Sequence, residues 1–142
     1  MNEDKLFELE TLFRTVFRQM RNELRSLMGE YLSTNEFIVL KNIDDGTVKA
    51  SDLSKALNVS ASHITTITDS LFEKDLISRQ RSSSDRRVVF LILTSLGKEL
   101  IVKIEKRKSE YFKNRFDVLS EMEVEQFITL FKKMDASKHG HD

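Results

Sequence analysis

The sequence predicts a mostly α-helical chain that carries one small β-hairpin. Three observations lead there. The 142 residues include no proline and only four glycines, the residues that most often punctuate loops and sheets. Apolar residues recur three or four apart over long stretches near both ends of the chain, the period of one helix face. Between them, two short runs rich in β-branched and apolar residues bracket a polar, arginine-rich segment.

Residues 5–28 place Leu6, Leu9, Phe13, Phe17, Met20, Leu24 and Leu27 on one stripe, widened by Leu12 and Val16, and Gly29 ends this long helix. Ser33 and Glu36 then have the spacing of a capping box, in which hydroxyl and carboxylate each satisfy a backbone donor. The second helix runs through Phe37, Leu40 and Ile43 and stops at Asp44-Asp45-Gly46. Residues 51–57 form a short third helix. Asn58-Val59 makes a tight turn, and Ser60 caps a fourth helix reaching about Glu73. On that helix Ile64, Ile67 and Leu71 face the core, while Ser62, Thr66 and Asp69 point away, flanked by His63, Thr65 and Ser70.

Asp75 stands where the chain must leave the helix, and aspartate tolerates the left-handed backbone needed there. Residues 76–81 and 88–93 then form the hairpin, and its loop, Ser82 to Arg87, exceeds a two-residue turn and protrudes. Thr94 is a good N-cap for a helix to about Phe116, roughly 33 Å long at about 1.5 Å per residue. Ser120 and Glu123 form a second capping box, with Leu119 and Val124 at staple spacing, and the last helix gathers Val124, Phe127, Ile128, Phe131 and Met134 on one face. The first and last helical segments hold more apolar surface than a core of this size covers, which predicts a homodimer built from them. Residues 136–142, with His139 and His141, read as a flexible tail.

Composition narrows the chemistry. With 39% hydrophobic and 32% charged residues the chain can build a core and is not disordered. No apolar run approaches the roughly 20 residues of a membrane span, and the acidic start Met1-Asn2-Glu3-Asp4 is no signal sequence, so a cytoplasmic protein without membrane contact is expected. The absence of cysteine removes disulfides, thiolate metal sites, a cysteine nucleophile and thiol redox sensing. His63 has no second ligand nearby in sequence, and there is no nucleophile motif or phosphate-binding glycine loop. No metal, no cofactor and no enzymatic activity are therefore expected.

Lysine and arginine balance aspartate and glutamate at 23 each, but the charges are sorted. Residues 1–48 hold 6 basic and 9 acidic side chains, whereas 49–98 hold 8 and 5. Arg79, Arg81, Arg86 and Arg87 fall within nine residues that include one acid, Asp85, which suggests a local anion-binding surface.

Two short helices joined by a turn and followed by a basic hairpin make a winged helix-turn-helix, here flanked by long N- and C-terminal dimerisation helices. The second helix of such a pair fits the DNA major groove, and Ser60, Ser62, His63, Thr65 and Thr66 lie at its N-terminal end, where short polar side chains reach base edges. Arg86 and Arg87 on the loop suit the negative potential of a narrow minor groove.

Three stretches resemble the MarR family of bacterial winged helix regulators. They are Leu32-Ser33-Thr34 with Phe37, Val39 and Leu40; the segment from Asp52 through Arg79, with Leu53, Leu57-Asn58-Val59-Ser60, Ile64-Thr65, Ile67, Asp69, Leu71, Lys74 and Leu76-Ile77; and the wing run Ser84-Asp85-Arg86-Arg87-Val88 with Leu93-Thr94 and Gly97. The resemblance spans residues 5–135. It implies a dimeric DNA-binding transcription factor, commonly a repressor, on double-stranded DNA with a near-palindromic operator and often released by a small ligand or by oxidation; separately, apolar Met and Phe residues between the first, second and fifth helices could line a pocket for a small apolar or phenolic effector. It also implies that Asp85 braces the wing by pairing with a neighbouring arginine. Two departures stand out: Ser70 where many members carry a basic residue, and Asp75 where glycine is usual. The recognition helix then has no Lys or Arg before Lys74, so affinity leans on Arg79, Arg81, Arg86 and Arg87, with Lys49 and Lys55 nearby. The implied organisation is a DNA-binding lobe at 33–93 and a dimerisation lobe of 5–28 with 95–135. The neutral total charge keeps one alternative open, a winged helix that serves as a protein-interaction or structural module.

Overall fold

Side-chain caps set the helix ends. In a computed structural model of the chain, which describes residues 1–29, 31–46 and 48–137, α1 spans Glu3–Met28, α2 Thr34–Asp44, α3 Ala50–Leu57, α4 Ala61–Glu73, α5 Ser95–Phe116 and α6 Glu121–Ser137, with strands β1 Ile77–Arg81 and β2 Val89–Leu93. α1 starts ahead of its apolar stripe because the Asn2 side chain accepts from the Asp4 and Lys5 amides, and Glu3 and Asp4 suit the positive end of the helix dipole. The Ser33–Glu36 capping box forms with both of its bonds. Asn58 closes α3 in the left-handed conformation, φ 51°, and the Ser54 hydroxyl ties the turn by donating to the Val59 carbonyl at 2.7 Å. Asp75 leaves α4 at φ 58°.

β1 and β2 pair antiparallel, from Ile77 opposite Leu93 to Arg81 opposite Val89. Residues Val48 and Lys49 add a short third rung that the sequence did not disclose: the Leu91 amide donates to the Val48 carbonyl at 2.7 Å, and Lys49 bridges Phe90. Thr94 anchors the start of α5 on the other side of the hairpin. Its hydroxyl donates to the Asp75 carbonyl at 2.6 Å and accepts from the Gly97 amide at 3.0 Å.

The described chain falls into two compact units, Met1–Arg107 and the residues from Lys108 on. In the first, Leu40, Leu53, Ile64, Leu71, Leu76, Ile77, Leu91 and Ile104 are fully buried, so α2, α3, α4, the hairpin and the first half of α5 share one core. In the second, an aromatic chain runs from Tyr111 through Phe112 and Phe116 to Phe127 and Phe131, with ring centres 5.5–6.5 Å apart, and joins the end of α5 to α6. The Ser120–Glu123 capping box starts α6.

Large apolar side chains remain exposed on both terminal segments: Leu6, Leu9, Phe13 and Phe17 on α1, and Ile128, Leu130, Phe131 and Met134 on α6. The helix α6 continues to Ser137, beyond the expected start of a tail at 136, and residues 138–142 with His139 and His141 lie outside the described residues. No described helix is long and apolar enough to cross a membrane.

Candidate nucleic-acid interface

The helix α4 divides into two faces because its apolar residues repeat at the helical period. Ile64, Ile67, Thr68 and Leu71 are buried, while Ser62, His63, Thr65, Thr66 and Asp69 are exposed. The Ser60 hydroxyl accepts from the His63 amide at 3.1 Å and lies 3.1 Å from the Ser62 hydroxyl. Thr65 and Thr66 donate back to the Ala61 and Ser62 carbonyls at 2.9 and 3.1 Å, which leaves their hydroxyl lone pairs and methyl groups outward. The first two turns of α4 therefore offer a polar, uncharged surface with no acid in the first turn.

The wing is ordered by its own polar groups. Within the loop after Arg81, Ser82 and Val88 close the turn through a 2.9 Å backbone bond, and the Ser82 hydroxyl accepts from the Ser84 and Asp85 amides at 3.3 Å. Asp85 Oδ1 accepts from the Arg87 amide at 3.0 Å and from Arg87 Nε at 3.4 Å. The guanidinium of Arg81 donates to the Arg86 carbonyl at 3.0 Å, a clamp across the loop. Arg87 is left almost wholly exposed, and the Arg86 side chain makes no ion pair among the described residues.

Arg79 is placed differently from its neighbours. It is ion-paired with Asp69 of α4 and its guanidinium lies 5.0 Å from the centre of the Phe72 ring. Arg79 thus pairs with Asp69, one of two acids with Glu73 on the exposed face of α4, while Arg86 and Arg87 point outward on the wing.

With this geometry in view, comparison with known proteins is decisive. A model of the MarR family matches residues 32–89. The chain is 40% identical over 134 residues to the HTH-type transcriptional regulator YpoP of Bacillus subtilis (strain 168), covering 94% of this chain and 95% of YpoP. The chain belongs to the MarR family. Its fold matches the crystal structure of YusO from Bacillus subtilis with a TM-score of 0.83 at 21% identity, covering 96% of this chain and 98% of YusO. A single-substitution variant of S. aureus MepR bound to an oligodeoxyribonucleotide matches with a TM-score of 0.65 at 25% identity, covering 91% of this chain and 96% of MepR. This MarR-family protein is a DNA-binding transcriptional regulator, and the interaction-module alternative falls away.

The contacts that gather Tyr31, Glu36, Ser70 and Lys74 escaped the sequence reading. Glu36, read there only as half of a capping box, is buried at 8% exposure and reaches α4: its Oε2 accepts from Lys74 Nζ at 2.7 Å and from the Ser70 hydroxyl at 3.0 Å. Tyr31 donates its hydroxyl to the Lys74 carbonyl at 3.2 Å, and its ring lies 5.2 Å from the Lys74 ammonium. Burial by itself would raise the Glu36 pKa, but hydrogen bonds from Lys74, the Ser33 amide and hydroxyl, and Ser70 outweigh it and hold the carboxyl below its ordinary value. The departure at Ser70 thereby has a use in this chain, since its hydroxyl serves Glu36. Among the described residues no group of three or more His, Asp or Glu side chains could hold a metal ion.

Proposed function

We propose that the protein binds a near-palindromic operator as a homodimer and represses transcription by occupying promoter DNA. In this reading the N-terminal end of α4 enters the major groove, where Ser60, Ser62, His63, Thr65 and Thr66 meet base edges and phosphates. Arg86 and Arg87 reach into the adjacent minor groove, with Asp85 holding the Arg87 side chain over the loop. Arg81 supports the wing from behind, and Arg79 keeps Asp69 from repelling the DNA backbone.

The observation that carries the reading is the pairing of an uncharged, exposed recognition face with a wing whose outward charges are both arginines. The exposed apolar faces of α1 and α6 support the homodimer, because monomers rarely leave so many Phe, Leu and Met side chains in water. Two such copies would present recognition helices to half-sites about one helical turn apart, roughly 34 Å. The protein then acts by binding in the cytoplasm, without catalysis. A small apolar or phenolic effector that shifts the spacing of the two recognition helices would release it, with the adaptable Met and Phe side chains of the helical segments as its contacts.

The test is binding of the purified protein to the duplex upstream of its own coding region, titrated against salt beside an unrelated duplex. A specific complex whose log affinity falls steeply with log salt is expected. Equal, weak binding to both duplexes, with no enriched fragment in a selection from the whole genome, would overturn the operator reading.

A further inference from the structure

The C-terminal end of the recognition helix is held by Tyr31, from the segment between α1 and α2, and by Glu36, from the first turn of α2, which meet it at Lys74 and Ser70. Lys74 is the C-cap of α4. Its ammonium is 2.7 Å from Glu36 Oε2 and 5.2 Å from the centre of the Tyr31 ring, and its carbonyl accepts from the Tyr31 hydroxyl at 3.2 Å. One turn earlier, Ser70 donates to the same Glu36 oxygen. The other Glu36 oxygen accepts from the Ser33 amide at 3.0 Å, so the carboxylate is fixed to the start of α2 before it reaches α4.

Such an arrangement limits what Lys74 can do. Its side chain is 24% exposed, against 93% for Arg87, and its charge is already matched by a carboxylate that is 10% exposed. A lysine at the end of a recognition helix is by type a phosphate ligand, but here the ammonium is turned toward the protein. Backbone, hydroxyl and charge together make three different bonds between the last turn of α4 and residues 31–36, which over-determine the direction in which the helix leaves the core.

We infer that Tyr31 and Glu36, acting on α4 through Lys74 and Ser70, are positioning residues that set the pose of α4 for reading DNA, and that Lys74 is not itself a phosphate ligand. This rests on the operator reading above. A fixed pose acts on base readout, which tolerates little misalignment, and leaves the sequence-independent attraction to phosphate unchanged.

The experiment measures affinity by fluorescence anisotropy for the operator-bearing duplex and for a shuffled duplex of equal length and composition, each over a potassium chloride series. Full-length wild type, Lys74→Met, Lys74→Arg and Tyr31→Phe are compared, with circular dichroism as a check on folding. Lys74→Met is expected to weaken operator binding about tenfold, with the shuffled duplex nearly unchanged and the salt slope on the operator as in wild type. Tyr31→Phe, which keeps the ring and removes only the bond to the Lys74 carbonyl, should lower the preference about threefold. Lys74→Arg, which can still pair with Glu36, should keep it.

A drop of about one unit in the salt slope with equal weakening on both duplexes would make Lys74 a phosphate ligand and overturn the inference. Wild-type preference in both Lys74→Met and Tyr31→Phe would overturn it as well. If Lys74→Met does not fold, Tyr31→Phe decides alone, since Tyr31 is 54% exposed and removal of one hydroxyl leaves the core intact. A wild type that prefers no duplex would refute the operator reading and this inference together, whereas a discriminating wild type with unaltered variants refutes the inference only.

Discussion

Gly97 at the start of α5 lies against the carbonyl of Leu76, so close that a Cβ on residue 97 would sit 2.2 Å from that oxygen. The same carbonyl accepts from the Thr94 amide at 3.1 Å, so it cannot turn aside without breaking a hydrogen bond. Glycine is thus required by the approach of two backbones at the point where the hairpin meets α5.

Gly97→Ala should therefore destabilise the fold by about 1–3 kcal/mol, the usual cost of overpacking where the neighbour is rigid. Thermal unfolding followed by circular dichroism should show Tm lowered by several degrees. An unchanged Tm would mean that the hairpin and α5 separate at little cost.

Glu36 makes stability depend on pH. Its folded pKa is below the ordinary value, so the stabilisation is complete above the unfolded carboxylate pKa and is lost as pH falls through the lower folded value. Glu36→Gln should be less stable by about 1.5–3 kcal/mol at neutral pH, the range of a hydrogen bond to a charged group. In urea titrations the gap between wild type and variant should narrow below the carboxylate range. A gap that stays constant with pH would show that the charge on Glu36 contributes nothing.

The wing arginines should act on DNA and leave the fold alone. Arg86→Ala combined with Arg87→Ala is expected to weaken duplex binding and to flatten the plot of log affinity against log salt by up to about two units, one for each cation withdrawn from the phosphates. The melting curve should be unaltered, because both side chains are exposed. Identical salt slopes would remove the wing from the interface.

Asp69 and Arg79 form an ion pair on the exposed face of α4. Asp69→Asn frees the Arg79 guanidinium, and binding to unrelated duplex should become tighter and more salt-sensitive. Arg79→Ala leaves Asp69 unpaired and should weaken binding to all duplexes alike. The opposite ordering of the two variants in a competition assay would show that the pair does not screen Asp69 from the duplex.

Phe13 and Phe17 stack on one another at 5.6 Å and are about half exposed in the single chain. Phe13→Glu with Phe17→Glu should shift the solution mass from twice 16.6 kDa toward 16.6 kDa in light scattering. A dimer that survives both changes would place the interface elsewhere.

Much of the fold is legible because it is local. The two capping boxes are spaced three residues apart and close with the bonds expected of them. Asp75 takes the left-handed conformation that its position demanded, and Ile64, Ile67 and Leu71 are buried as the 3.6-residue period requires. The turn at Asn58 and the two hairpin strands follow from residue types within a few positions of each other, while the register, Ile77 opposite Leu93, comes from the structure.

What lies far apart in sequence was not legible. Glu36 meets Ser70 and Lys74 across 34 and 38 residues, and no pattern near Glu36 announces either partner. The rung from Val48 and Lys49 to β2 and the pairing of Arg79 with Asp69 likewise depend on how elements dock. Spacing and residue type alone specify the helices, the capping boxes, the wing and its arginines. Which cations meet acids distant in sequence depends instead on how the elements dock. Docking brings Glu36 to Lys74 and Asp69 to Arg79, whereas Arg87 meets only its loop neighbour Asp85 among the described residues and stays, with Arg86, turned outward on the wing.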